Sequence, residues 1–304
     1  MRSAASLGLA VAFVACGNYS DEDIPFYEAL PASSQLHVTI PAANGQAICA
    51  THTSIALAAA QSAGGDINGG LEDILNLVDL IKSVPPSKRE PDSRSWGPWN
   101  DTTHAGFETQ VSMTEVDGGF TYDLDEGPKS TGDFSPLLTG SFSGGEAATG
   151  SGSLSLDFQT AWTLGIESPA DPHGPMTVDY DLGSDPQSID LSLADAGLSL
   201  QAFDYHWLHA SSGDGKFSFL WQDASGDVLT WTVTFHGDGS GVASAVGTTS
   251  AGASVTVTEC WDSSACVDYL QDPGNFTRAP GCAANSPCTI GSPSACPTFP
   301  DGGL

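Results

Sequence analysis

Asp204 and His206 stand two positions apart in the segment LSLQAFDYHWL. On a strand that spacing puts both side chains on one face, where an acid and an imidazole could pass a proton. A surface hydrogen bond is the commoner use of such a pair. His209, three positions after His206, would point to the opposite face, which disfavours a metal site shared by the two. The other histidines are His37, His52, His104, His173 and His236, and no HExxH or HxH pair occurs among the set. A GxSxG nucleophile turn is absent as well. For calcium, Asp123, Asp125 and Gly127 come nearest to a D-x-[DN]-x-[DN]-G loop but do not match it. Asp214, Asp227 and Asp238 fall in separate turns, the ordinary place for a carboxylate that accepts from backbone N–H groups. The sequence therefore offers no catalytic residue, no metal-ligand set and no cofactor motif.

One constellation differs from its background. The chain has 304 residues, with 8 Lys plus Arg against 37 Asp plus Glu, a net charge of −29. Yet Lys82, Lys88, Arg89 and Arg94 crowd into IKSVPPSKREPDSRSWGPW together with Trp96 and Trp99. The prolines stiffen the loop, and the indole rings offer stacking or apolar anchoring. Lys88, Arg89, Arg94, Trp96 and Trp99 are thus the candidate binding residues, suited to an anionic head group or an acidic partner. The competing use is neutralisation of nearby carboxylates, with the tryptophans capping one end of a β structure. Nucleic acid is excluded as a partner, because a chain of this charge repels phosphates.

Seven cysteines are present. Cys16 closes the apolar run Ala4–Ala15 behind Arg2, a run too short to span a bilayer. Setting it aside leaves Cys49, Cys260, Cys266, Cys282, Cys288 and Cys296, an even set without CxxC spacing. Disulfides are expected of these, with the connectivity left open. Ala15-Cys16-Gly17 with the preceding run resembles the bacterial lipoprotein signal. The resemblance implies removal of residues 1–15, lipid on Cys16 and a membrane anchor in the cell envelope. Gly17, in place of Asp, leans towards the outer membrane. An acidic stretch, residues 16–34, reads as the lipidated tether.

The elements that must position these residues follow from periodicity. QLHVTI (35–40) is a candidate first strand, residues 47–63 a helix candidate, and the glycines at 64, 65, 69 and 70 a break. Leu71, Ile74, Leu75 and Val78 then predict an amphipathic helix over 71–83, ended by Pro85 and Pro86. Residues 35–105 thus form a helical element plus the basic Trp loop. From about residue 106 to 259 the period is two, with Gly and Asp turns between the strands. The slip of apolar phase around Gln201–Ala202 predicts a bulge. The fold class is mainly β: an antiparallel meander of about ten strands, closed or curled into a barrel or half-barrel, with one or two N-terminal helices. Residues 260–304 read as a disulfide-tied tail.

A helix ahead of a curved meander is similar in layout to the envelope lipid-carrier half-barrels. That similarity implies a cavity, here lined by Trp162, Phe219, Trp221, Trp231 and Phe235. The expected function is that of an exported, lipid-anchored, non-enzymatic lipoprotein binding an apolar or amphiphilic ligand. The alternative is a structural or adhesion-type surface lipoprotein that presents loops to a protein or polysaccharide partner. A lipid or an envelope protein is the expected partner beside the membrane itself.

Overall fold

Hairpin turns set the architecture. In the computed structural model, which describes residues 20–31, 35–42, 49, 52–144, 149–166, 173–194 and 200–299, one turn design recurs at a 13-residue interval. Gly213, Gly226, Gly239 and Gly252 each take a positive φ, and Ala265 takes the same position in a fifth turn. Each donates its N–H to the carbonyl three residues earlier, from Gly213 to Ala210 through to Ala265 to Asp262. In each, the residue opening the turn donates to the carbonyl four residues on, as Asp223 does to Asp227. This is a type I turn closed by a bulge residue in the left-handed region, where glycine carries no steric cost. It joins neighbouring strands directly and permits no crossover.

Among the described residues, fifteen strands are hydrogen-bonded in chain order in an antiparallel meander that does not close. They are β1 (Lys88–Glu90), β2 (Ser93–Asn100), β3 (Phe107–Val116), β4 (Gly119–Pro128), β5 (Ser135–Ser143), β6 (Ser151–Asp157), β7 (Pro175–Asp181) and β8 (Gln187–Ala194). These are followed by β9 (Leu200–His209), β10 (Gly215–Asp223), β11 (Val228–Phe235), β12 (Gly241–Thr248), β13 (Ser254–Trp261), β14 (Val267–Asp272) and β15 (Cys288–Gly291). The mainly β antiparallel meander is as expected; of the expected barrel or half-barrel of about ten strands, the count is corrected to fifteen and the closed form is ruled out. β1 and β2 come from the supposed basic loop, and β14 and β15 from the supposed tail. The bulge lies where the apolar phase slips: Gln222 pairs with Ala202 and Asp223 with Leu200, leaving Gln201 over.

Helices differ from expectation too. α1 (Ile24–Glu28) follows a 3-10 turn, Asp21–Asp23, inside the stretch expected to be a tether. α2 (Ile55–Ser83) runs straight through the glycines expected to break it. Gly64 there is buried against Val38 and Ile40, which the absent side chain lets approach closely. α3 (Phe158–Leu164) is capped by Asp157, whose carboxylate accepts from the Gln159 and Thr160 N–H groups. Residues 35–40, expected as a strand, form none.

The chain divides into two compact units. One comprises Met1–His37, Asn68–Ser184 and Leu191–Gly197; the other comprises Val38–Ile67, Asp185–Asp190 and Leu198–Leu304. In the first, Trp96, Val111, Met113, Tyr122, Leu124, Phe142, Val178 and Tyr180 form the buried core. Tyr122 lies across Gly140 on the paired strand, where a Cβ would meet the ring at 2.2 Å. In the second, cross-strand rows alternate large and small. Phe235 and Trp261 flank Gly241, and Trp231 and Val257 flank Ala245. Phe219 meets Trp231 edge-on at 5.2 Å and Tyr205 packs on Phe217 at 5.0 Å.

Six cysteines pair as Cys49–Cys266, Cys260–Cys296 and Cys282–Cys288. Around the last pair, Val267, Leu270 and Ala279 form a small core, so the C-terminal segment carries apolar packing of its own. Cys16 and the whole of residues 1–15 lie outside the described residues.

Candidate functional site

The basic Trp segment is a fastening inside the first unit. Arg94 is buried; its Nε donates to Asp23 Oδ1 at 2.7 Å and its terminal nitrogens to the Glu90, Ser93 and Glu22 carbonyls. Arg89 donates to Asp23 Oδ2 at 2.8 Å, and the Arg94 guanidinium lies over the Phe26 ring. Burial pushes the Asp23 carboxyl up, but Arg89, Arg94 and the Ser20 N–H outweigh it and hold it at about 2. Trp96 is buried, with its Nε1 donating to the Val84 carbonyl. Trp99 is half-buried, and Lys82 donates to the Leu30 carbonyl. Lys88 and Arg89 both lie on the exposed strand β1, with Lys88 paired with Glu90 at 2.6 Å. The arrangement neutralises buried charge and docks the Asp21–Glu28 segment; Arg94 is buried in it, whereas Arg89 and Lys88 remain exposed at its edge.

Asp204 and His206 share a strand face, but the imidazole bonds Asp190 of β8. Strand pairing brings a neighbouring strand's residue closer than one two positions along the same strand. Four of the five aromatics expected to line a cavity are used otherwise, and the fifth, Trp221, borders a cleft in the second unit. Phe235 is fully buried, Trp231 and Phe219 are packed on Phe217, and Trp162 is an exposed residue of α3. Phe219, Trp231 and Phe235 fill the interior of the second unit.

Among the described residues, two arrangements have chemical capacity. The first is a cleft of about 280 Å³ in the second unit, lined by Trp221, Val228, Leu229, Gly247, Thr248 and Val255 among others. Trp221, Leu229, Gly247 and Val255 form one cross-strand row across β10 to β13. The missing side chain at Gly247 makes the hollow: a Cβ there would meet only Val255, at 3.6 Å. Its walls are mainly apolar, and the Asp227 turn stands at its rim.

The second is a cluster of Asp101, His104 and Glu126 in the first unit, whose ligand-type atoms all lie within 4.8 Å of one another. Asp101 follows β2 and opens a loop that closes by its N–H to the Phe107 carbonyl. Its Oδ1 accepts from the Thr103 and His104 N–H groups, and its Oδ2 lies 2.6 Å from His104 Nδ1. Glu126 comes from β4, between Thr109 of β3 and Ser135 of β5. It is fully buried, and neither of its oxygens accepts a hydrogen bond from a described donor. Burial, then the neighbouring Asp101, push its carboxyl up to about 8. Burial likewise raises Asp101, but the His104 N–H and ring, Glu126 and the Thr103 N–H bring it below the usual carboxylate range.

Sequence reading missed this cluster, although a signal was there. Tyr122 and Leu124 alternate onto the buried face of β4, and two residues further the same face receives Glu126. A carboxylate at a core position needs a partner. No family model, no curated protein and no solved structure matches the chain. Among the described residues, no helix is long and apolar enough to cross a membrane.

Proposed function

We propose that this chain is an exported, lipid-anchored, non-enzymatic envelope protein that seats an apolar or amphiphilic group in the cleft beside Trp221. The observation that carries the reading is the cleft itself, mainly apolar and built on one cross-strand row of four strands. The cysteine pairing supports export, since three disulfides suit an oxidising compartment and leave Cys16 over for lipid. The anchor would hold the protein at the bacterial cell envelope, at the outer membrane by the Gly17 reading.

The test is titration of a fluorescent fatty acid into the purified mature chain, read by dye emission and by quenching of tryptophan fluorescence. Gly247→Leu fills the cleft at a position with room for a side chain. Binding by the parent, weakened by at least about tenfold in a folded Gly247→Leu variant, is the expected result. Failure of the parent to bind would sink the reading. Metabolic labelling with palmitate tests the anchor: incorporation should vanish in Cys16→Ala.

The filled aromatic interior of the second unit favours a second reading, a structural or adhesion-type surface protein that presents its hairpin turns to a protein or polysaccharide. Labelled Cys16 without fatty-acid binding would select it.

A further inference from the structure

Five carboxylates are buried among the described residues: Asp23, Asp101, Glu126, Glu259 and Asp272. Four have donors suited to them. Asp23 has two guanidinium groups, and Asp101 has the N–H groups of its loop. Glu259 accepts from the Ser54 hydroxyl and the Ala56 N–H at the start of α2, and Asp272 accepts from Thr277 and Gly274. Both glutamates extend the apolar face of a strand, after Tyr122 and Leu124 in one case and Val255 and Val257 in the other. Glu259 meets a helix N-terminus, whereas Glu126 meets a second carboxylate and an imidazole. A His–Asp loop pair accounts for Asp101 and His104 but leaves both oxygens of the fully buried Glu126 without a described hydrogen-bond donor.

We propose that Asp101, His104 and Glu126 bind one divalent transition-metal ion of the Zn²⁺ class, with solvent completing its coordination. Oxygen from two carboxylates plus one imidazole nitrogen is a donor set that suits Zn²⁺ and its neighbours and disfavours Ca²⁺ and Mg²⁺, which take oxygen. The distances are near those required. His104 Nδ1 lies 2.6 Å from Asp101 Oδ2 and 3.9 Å from Glu126 Oε1. Ligand atoms around a tetrahedral Zn²⁺ stand about 3.4 Å apart, so modest side-chain rotations suffice. Asp101 is already oriented through its other oxygen, which two backbone N–H groups hold. The carboxylates are buried, while His104 is about a quarter exposed and gives the ion its way in. The ion would tie the loop after β2 to the middle of the β3–β4–β5 sheet. It concerns the first unit and does not depend on the cleft.

The experiment is titration of Zn²⁺ into the chelator-treated full chain, followed by calorimetry and thermal unfolding, with Co²⁺ as a spectroscopic probe. One Zn²⁺ per chain is expected, with Tm raised by roughly 5 °C at concentrations well above Kd. Glu126→Gln keeps the volume of the side chain and His104→Ala opens a partly exposed site, so at least one variant should remain folded. Each folded variant should bind more weakly by over about tenfold, the loss that removing even an outer partner of a metal site brings. A parent chain that shows neither stoichiometric binding nor a Tm shift overturns the proposal. So does binding unchanged in the folded variants, which would place the ion elsewhere, for instance at His206–Asp190 or His236–Asp214.

Discussion

Asp23 shows how much a single side chain does in this protein. It is acidic, in a stretch whose composition suggests a solvated tether, yet it is fully buried between Arg89 and Arg94. Removing one partner of a buried ion pair strands the other, and here the stranded group would be Arg94. Asp23→Asn should destabilise the first unit by about 3 kcal/mol or more, whereas Arg89→Met, which removes the more exposed partner, should cost about 1 kcal/mol. Urea unfolding of the two variants checks the ranking, and equal effects would contradict it. The pH dependence has a definite sign. The folded carboxyl, at about 2, lies below the unfolded value of 3.8, so its stabilisation is complete above that value and is lost as pH falls towards 2. The expected contribution is on the order of 2 kcal/mol, read as the difference in unfolding free energy between the parent and Asp23→Asn at pH 6 and its shrinkage at pH 2.5.

At the scale of elements, the repeated turn is the main determinant, and its exception makes a test. Gly239 has a φ of 89° and Ala265 a φ of 62° at equivalent positions. An L-residue in the left-handed region carries a steric cost that glycine avoids. Gly239→Ala should lower stability by about 1 kcal/mol, and Ala265→Gly should raise it by a few tenths to about 1 kcal/mol. Opposite shifts of the denaturation midpoint are the expected outcome; shifts of the same sign would mean the turns are not equivalent. The same elements explain which strands the sequence hides. β12 presents Gly241, Ala243, Ala245 and Gly247 inward, so no alternation of large apolar residues marks it. β2 is hidden by its arginine, prolyl and indole residues, which read as a binding loop. In α2, four glycines look like a break, but the helix gains from buried Leu57, Ala60, Leu71, Val78 and Ile81, and tertiary burial overrides weak local propensity.

Over the whole molecule the acidic excess acquires a structural use. Asp223 and Asp262 accept backbone N–H groups within their own turns; Asp214 accepts from Gly237 and Asp227 from Ser250, each in the turn two hairpins on. Hydrogen bonds to such carboxylates hold Asp181, Asp185, Asp214, Asp223, Asp238 and Asp272 below the ordinary range, against whatever burial opposes them. All contribute in the same direction as Asp23, stabilising above the unfolded carboxylate range and less so as the pH drops through it. The Cys49–Cys266 bridge closes 217 residues, a long loop in the unfolded chain. The double variant Cys49→Ser with Cys266→Ser should lose about 3–5 kcal/mol, measured by guanidinium unfolding under oxidising conditions. Loss below about 1 kcal/mol would show that the unfolded chain gains little freedom from the opening. Alternation, turn residues and the phase slip at Gln201 were legible in the sequence, because strand faces, turns and bulges are set by neighbours along the chain. The meander class therefore follows from sequence, and the number of strands and the open edge do not. Tertiary structure alone decided which buried polar groups meet. Asp23 finds Arg94, Glu259 finds Ser54, and Glu126 finds Asp101 and His104, across separations that only the docking of segments and the pairing of strands can bridge. The desolvation that makes those meetings consequential exists only once the sheet has buried its face.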